Sequence, residues 1–150
     1  MRKRKTVINE CRVKFPALSR NEGLSRSAAA AFALQCDPTV EEIAAVKTAV
    51  SEAVTNAIVH GYRDTSGEVE MTLKLFEDNT LYIEIRDKGR GIADVNRAME
   101  PTFTTAPEDE ERSGLGFTVM ESFMDKVRVK SAEGKGTSVV LEKKIVGKSK

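Results

Sequence analysis

Hydrophobic and polar positions alternate in several short segments of the chain, and this alternation predicts β-strands. Cys11, Val13 and Phe15 alternate with basic residues, as expected for a strand with one buried face. Turn-forming residues at 77–80 and 133–136 separate pairs of similar segments. Four more strands are therefore predicted, over residues 68–76, 81–86, 127–130 and 137–145.

Between these strands, apolar residues recur with the period of a helix. A first helix is predicted over residues 19–35, with Ser19 and Glu22 as a capping box. A second is predicted to begin at Asp37, which precedes a proline, and to end at Gly61. The first helix is expected to bury Leu24, Ala28, Ala31 and Phe32, and the second to bury Ile43, Val46, Val50, Ala53, Val54 and Ala57.

Further along, the segments 94–99 and 117–124 are also predicted to be helical. Together these elements predict an α+β fold, a two-layer sandwich in which a mostly antiparallel sheet carries the helices on one face. The 150 residues are expected to form a single domain. Residues 1–9 are expected to be a basic, flexible tail.

Composition narrows the range of functions. The formal net charge is +1, with one histidine and two cysteines, which argues against a general nucleic-acid binder. No C-x-x-C spacing indicates a zinc or redox site. The longest apolar run, residues 28–34, is too short to span a membrane, and no secretion signal follows the basic start. A cytoplasmic protein with reduced thiols is expected.

The second predicted helix carries an isolated pair of polar side chains. Glu52 is the only ionised residue between Thr48 and Val59, and Asn56 follows it by four positions, so the two lie on one helix face. A carboxylate among Ala, Val and Ile is costly to bury unless something pairs with it. A carboxylate and an amide oxygen suit a hard cation and a reaction that needs a base.

Two glycine-rich segments follow. Asp87 ends an apolar strand and precedes Lys-Gly-Arg-Gly, so its carboxylate could accept hydrogen bonds from an exocyclic amine such as that of adenine. Residues 113–116, Ser-Gly-Leu-Gly, precede a predicted helix, where backbone amides could face phosphates. Taken alone, the first segment is better explained as a plain turn between a strand and a loop. The second segment alone is weak evidence for phosphate binding, since a glycine-rich hinge also explains it.

The long irregular segment 100–111 has the composition of a lid over a binding site. It contains Thr102, Thr104 and Thr105, whose hydroxyls could reach phosphates, and it ends in an acidic run at 108–111. Arg112 follows and could neutralise phosphate charge. The acidic run is also compatible with a simple solvated loop.

The order of these motifs resembles the GHKL superfamily of ATPases and kinases, and within it the bacterial serine-kinase anti-sigma factors, their sporulation branch above all. The matching segments are F-P-A-L-S-R-N-E (15–22), S-E-A-V-T-N-A-I-V-H-G-Y (51–62), F-T-T (103–105), E-R-S-G-L-G-F-T-V-M-E-S-F-M-D (111–125) and K-G-T (135–137). Two departures stand out, which are Ala106 where the family often has lysine and an acidic run one residue longer.

The resemblance implies a Bergerat-type sandwich that binds ATP or ADP with Mg²⁺. It implies that Glu52 is the general base, Asn56 the magnesium ligand, and Asp87 the ligand of the adenine amine. The other implied nucleotide contacts are Gly89, Gly91, Thr104, Thr105, Arg112, Ser113, Gly114, Leu115, Gly116 and Thr137. Arg26 matches a family position that contacts protein partners.

The implied partners are a sigma factor, an anti-anti-sigma protein that is phosphorylated on serine, and a second copy of the chain in a homodimer. Four alternatives stay open, which are a general-stress branch of the same family, an ATP hydrolase of the same fold, a nucleotide-gated binding protein without important kinase activity, and a histidine-kinase catalytic domain. The hydrolase is disfavoured because such modules are usually fused to further domains. The histidine kinase is disfavoured because no helical segment with a phosphoacceptor histidine is recognised.

Overall fold

A computed structural model describes residues 6–61, 67–89, 110–132 and 134–147. In these ranges the order of elements is β1 (Val7–Pro16), α1 (Asn21–Ala33), a 3₁₀ turn (Leu34–Cys36), α2 (Val40–Asn56), a π-helical turn (Ala57–Gly61), β2 (Glu68–Phe76), β3 (Thr80–Asp87), α3 (Glu110–Phe123), β4 (Lys126–Ala132) and β5 (Gly136–Lys144). The short helix predicted over 94–99 lies outside the described residues, as does most of segment 100–111.

The strands form one five-stranded sheet in the order β1-β2-β3-β5-β4, and every neighbouring pair is antiparallel. The alternation on β3 sets the buried face, because Leu81, Ile83 and Ile85 are all at most 1% exposed. Burial of each such side chain contributes about 1.5–3 kcal/mol. The three helices join the same core, so the predicted α+β sandwich is confirmed.

The first helix differs from its prediction in its start and in its buried face. It begins at Asn21 without a side-chain cap, and the backbone amide of Glu22 donates to the carbonyl of Ser19 in a turn. Its buried residues are Ser25, Ala29, Phe32 and Ala33, whereas Leu24 is exposed. Strand β1 begins at Val7, which lies within the segment expected to be a tail.

The N-cap of the second helix lies two residues later than predicted, at Thr39 instead of Asp37. Asp37 adopts a left-handed conformation with φ of 53° after the 3₁₀ turn, and Thr39 is the N-cap. The Thr39 hydroxyl accepts from the Glu42 amide at 3.1 Å, and the Glu42 carboxylate accepts from the Thr39 amide at 2.9 Å. This capping box satisfies two donors that a helix start otherwise leaves unpaired.

The same glutamate holds the segment that follows β5. Its carboxylate also accepts from the amides of Val146 and Gly147, at 2.8 and 3.1 Å. Burial raises the pKa of Glu42, but these backbone bonds and those to Thr39 outweigh it, so the pKa lies below its ordinary value. The ionised side chain therefore stabilises the fold at neutral pH.

We expect Glu42→Ala to lower the free energy of unfolding by about 1–2 kcal/mol, because it removes the capping box and the bonds to residues 146 and 147. Glu41→Ala is the matched control, since Glu41 is an exposed acid in the same helical turn. Denaturant unfolding measures both variants. Because the folded pKa of Glu42 is lowered, its contribution is present above the unfolded pKa and is lost as pH falls through the folded pKa. Equal losses in the two variants at pH 7 would contradict this assignment.

Candidate functional site

Glu52 and Asn56 occupy the last two turns of α2 on a common face, as their spacing predicted. Both side chains are half-buried. The helix continues into a π-helical turn directly after Asn56, and such turns are frequent at functional sites. This turn contacts β3 and β5, so the end of α2 lies beside the middle strands of the sheet.

Helix α3 approaches this pair at Gly116. A Cβ atom placed on Gly116 would lie 3.1 Å from Oε2 of Glu52 and 3.2 Å from Nδ2 of Asn56. Only a residue without a side chain fits there without displacing one of the two groups. The structure thus brings Gly116 against Glu52 and Asn56, although Gly116 lies 64 positions after Glu52 in the chain.

The prediction that residues 113–116 form a loop before a helix is wrong in this structure. Helix α3 begins at Glu110, so the amides of residues 114–116 are engaged in the helix's own hydrogen bonds and cannot face a phosphate in this conformation. The physical reason is that a helix pairs each of these amides with the carbonyl four residues earlier, which leaves no amide hydrogen for a ligand. For Arg112, Ser113, Gly114 and Leu115 the backbone alone is described.

Asp87 is a second candidate site residue, apart from the pair on α2, and its side chain lies on the helix-facing side of the sheet. It is 5% exposed and lies opposite Val69 on β2 and Thr137 on β5. Burial raises the pKa of Asp87, and hydrogen bonds from the backbone of Gly89 and Thr137 partly offset this. The Gly89 bond to Oδ1 is 2.9 Å long. These bonds fix the carboxylate at the strand end as an acceptor.

A close approach of two backbones positions Thr137 beside Asp87. The preceding residue, Gly136, has φ of 92°, and a Cβ atom there would lie 2.2 Å from the carbonyl oxygen of Asp87. Any side chain at Gly136 would force the strand ends apart. Thr137 Oγ1 in turn lies 2.7 Å from the hydroxyl of Ser131 on β4. The sequence analysis did not identify Ser131, and it did not identify the need for glycine at position 136.

Arg26 lies on α1 at a cleft that also reaches Glu52. The cleft has a volume of about 300 Å³ and is lined by Arg26, Ala44, Lys47, Thr48, Ser51 and Glu52. Arg26 pairs with Glu22 at 3.6 Å. Glu52 therefore contributes to this cleft and also lies against Gly116. Positions 44, 48 and 52 follow one another at four-residue spacing, which was a signal for this face that sequence reasoning did not use.

The pair on α2 fits a cation that takes most of its ligands from a bound substrate. The buried Nδ2 of Asn56 has no hydrogen-bond partner within the described ranges. Because an amide nitrogen only donates, this atom suits a phosphate oxygen, whereas the amide oxygen of Asn56 is the atom that could bind a cation. In those same ranges no cluster of three or more His, Cys, Asp or Glu side chains could hold a metal. Mg²⁺ commonly uses one or two protein oxygens, waters and substrate phosphates. Gly91, Thr104 and Thr105 lie outside the described residues.

Residues 15–143 match the family model described as a histidine kinase-like ATPase domain. An anti-sigma F factor from Clostridium acetobutylicum is 53% identical over 136 residues, which cover 91% of this chain and 94% of the relative. One from a Geobacillus species is 50% identical over 142 residues, or 95% and 96% of the two chains.

Solved structures agree on the fold. The RsbU and RsbW domains of Rv1364c from Mycobacterium tuberculosis match with a TM-score of 0.66 at 20% identity, over 91% of this chain and 32% of that one. The histidine kinase domain of a blue-light activated kinase from Erythrobacter litoralis matches with a TM-score of 0.58 at 21% identity, over 87% and 62%. In the described part of the chain, no helix has the length and apolar character needed to cross a membrane.

The close fit at Gly116 can be tested by comparing two glycines that lie in helices. A Cβ on Gly23 of α1 would meet only Nη2 of Arg26, at 3.7 Å. Gly23→Ala is therefore expected to raise the free energy of unfolding by roughly 0.5–1 kcal/mol. Gly116→Ala is expected to lose this gain and to weaken ATP binding, because Glu52 or Asn56 must move. Equal gains in unfolding experiments, with unchanged ATP affinity, would contradict the described contact.

Proposed function

The chain belongs to the histidine kinase-like ATPase family and, within it, to the anti-sigma F factors, and we propose that it sequesters a sporulation sigma factor and uses ATP to phosphorylate a serine of an anti-anti-sigma partner. The observation that carries the kinase part is the convergence of Glu52, Asn56 and Gly116. It places a carboxylate and an amide at the point where α3 meets α2.

The adenine end of the nucleotide is proposed to lie against Asp87, Gly89 and Thr137. The Asp87 carboxylate is buried and held by the Gly89 amide. An ionised carboxylate accepts hydrogen bonds only, so it suits the amino group of adenine. Gly91 is proposed to border the base and sugar.

The phosphates are proposed to lie between the end of α2 and the first turns of α3. Asn56 would hold magnesium there through its amide oxygen. Magnesium, when bound, neutralises phosphate charge and orients the transferred group. The other proposed phosphate contacts are Thr104, Thr105, Arg112, Ser113, Gly114, Leu115 and Gly116. Because α3 begins at Glu110 in the structure, phosphate contact by the amides of residues 114–116 requires that the first turns of α3 unwind.

Glu52 is proposed to be the general base. Its position between Gly116 and the open cleft of Lys47, Thr48 and Ser51 supports this role, since an acceptor hydroxyl can approach from the cleft. The serine oxygen forms a bond to the γ-phosphorus, the bond from that phosphorus to the β–γ bridging oxygen breaks, and the hydroxyl proton moves to Glu52. ADP leaves with the bridging oxygen. General-base assistance supplies about 10²–10⁴-fold in rate.

Partner binding is proposed to involve Arg26, which borders the same cleft as Glu52. A partner seated on Arg26 would therefore lie beside the base. We further propose that residues 1–150 act as one kinase domain, that the protein works as a homodimer, and that it acts in the cytoplasm without direct contact to nucleic acid or membrane.

One experiment tests the function as a whole. The protein is incubated with γ-labelled ATP, magnesium and candidate anti-anti-sigma proteins, and sigma-factor retention is measured in parallel. Label on a partner serine supports the proposal. Free phosphate alone would indicate a hydrolase, and ATP binding with neither product would indicate a nucleotide-gated binding protein. Retention of a general-stress sigma factor would assign the chain to that branch.

We expect Glu52→Gln to retain ATP binding and to slow serine phosphorylation by about 10²–10⁴-fold, because the amide cannot accept the proton. Glu41→Gln, which removes an exposed carboxylate from the same helix, is the control and should transfer phosphate normally. Single-turnover transfer from labelled ATP measures both. Transfer by Glu52→Gln at the wild-type rate would exclude Glu52 as the base.

Asn56→Ala is expected to weaken magnesium-dependent ATP binding by at least about tenfold. Unlike most substitutions of half-buried polar residues, it should not lower the free energy of unfolding, since Nδ2 is buried without a partner among the described residues. Asn9→Ala, at an exposed amide on β1, is the control for ATP binding. Calorimetric titration with ATP, with and without magnesium, measures the affinity of each variant. An unchanged ATP affinity of Asn56→Ala in the presence of magnesium would show that Asn56 is not a magnesium ligand.

A further inference from the structure

Ser131 stands next to the proposed adenine site without belonging to any of the sequence motifs. It lies on β4 opposite Thr137, and Thr137 lies opposite Asp87 on β3. Cross-strand partners point to the same side of a sheet. The three polar side chains therefore form one row on the helix-facing side, across β4, β5 and β3.

The hydrogen bonds of Ser131 fix the direction in which Thr137 donates. Ser131 Oγ lies 3.0 Å from the carbonyl oxygen of Gly136 and 2.7 Å from Thr137 Oγ1. A carbonyl can only accept, so the single hydroxyl proton of Ser131 is used there. Thr137 must then donate its own proton to Ser131. The hydroxyl oxygen of Thr137 then has only lone pairs left for a ligand, so it can act only as an acceptor.

This arrangement places two acceptors side by side at the end of the sheet. The Asp87 carboxylate has no proton to donate when it is ionised, and the Thr137 hydroxyl has given its proton to Ser131. The amino group at C6 of adenine carries two N–H donors, so each acceptor can take one of them. A purine with a carbonyl oxygen at C6 presents an acceptor, which would be left unpaired against like partners.

We propose that Ser131 is a positioning residue that holds the Thr137 hydroxyl as an acceptor and thereby makes the nucleotide site selective for 6-aminopurines over 6-oxopurines. This rests on the proposed ATP site. Without Ser131, Thr137 can rotate and donate to a C6 carbonyl. Specificity in this account depends on a residue that does not itself touch the base.

The test compares the affinities of the full chain for ATP and for ITP, which carries a carbonyl at C6, by calorimetric titration with magnesium. Ser131→Ala is expected to weaken ATP binding and strengthen ITP binding, each by about three- to tenfold. Ser131→Thr keeps the hydroxyl and should restore the wild-type ratio. A general loosening of the strand ends would instead weaken both nucleotides together.

Ser138→Ala is the matched control. Ser138 is also half-buried on β5 and its hydroxyl donates to Glu84 at 2.6 Å, but it belongs to the row of Arg86, on the other face of the sheet. It should leave the ATP-to-ITP ratio unchanged. An unchanged ratio in Ser131→Ala, or a ratio that Ser131→Thr does not restore, would overturn the role of Ser131 while leaving the ATP site intact. Failure of the wild-type chain to bind ATP would overturn the site itself, and this proposal with it.

Discussion

The antiparallel register of β3 between β2 and β5 is the constraint on which the proposed base-binding end of the site depends. The alternation that buries Ile85 also turns Asp87 to the helix-facing side, opposite Val69 and Thr137. A slip of one residue would reverse every side chain of the strand. Such a slip would expose the aliphatic residues of β3 and remove Asp87 from its row at once. The register that buries the aliphatic side chains of β3 therefore also places the Asp87 carboxylate.

The other end of the site depends on contact between helices rather than strands. Glu52 and Asn56 are held by the apolar face of α2, whose Val50, Ala53 and Val54 are at most 1% exposed. Gly116 lets α3 come within contact distance of their polar atoms. The π-helical turn after Asn56 contacts β3 and β5, which links this pair to the sheet. Helix α2 and the sheet thus carry the two halves of the proposed site, and a reaction there would require such fixed placement of its groups.

Sequence reasoning succeeded where one signal dominated and failed where two competed. The alternation of β3 and the bulky stripe of α2 predicted their buried faces correctly. On β1 the alternation was misleading, because Phe15 is buried but Cys11 is exposed. In α1 the run Ala28–Ala31 gives almost no contrast between faces, and the choice fell on the side of Leu24, which is exposed. At the start of α2, Asp37 before a proline competed with the T-x-x-E box at Thr39, and tertiary bonds to Glu42 favour the box. The proposed role of Ser131 depends on the direction of its hydrogen bonds, which spacing in the chain does not reveal.

The bonds of Glu42 also tie the segment after β5 to the start of α2. The amides of Val146 and Gly147 bond to the cap of α2, and Asn79 Nδ2 donates to the carbonyls of Cys36 and Ile145, at 3.2 and 2.9 Å. Gly147 has φ of 87° and no room for a Cβ atom beside the carbonyl of Asp37. A reporter or affinity tag joined before this glycine, or proteolysis that trims it away, would remove a hydrogen bond from the Glu42 carboxylate that caps α2. Glu52 and Asn56 lie at the far end of that helix. Fusion partners are therefore best attached beyond residue 147.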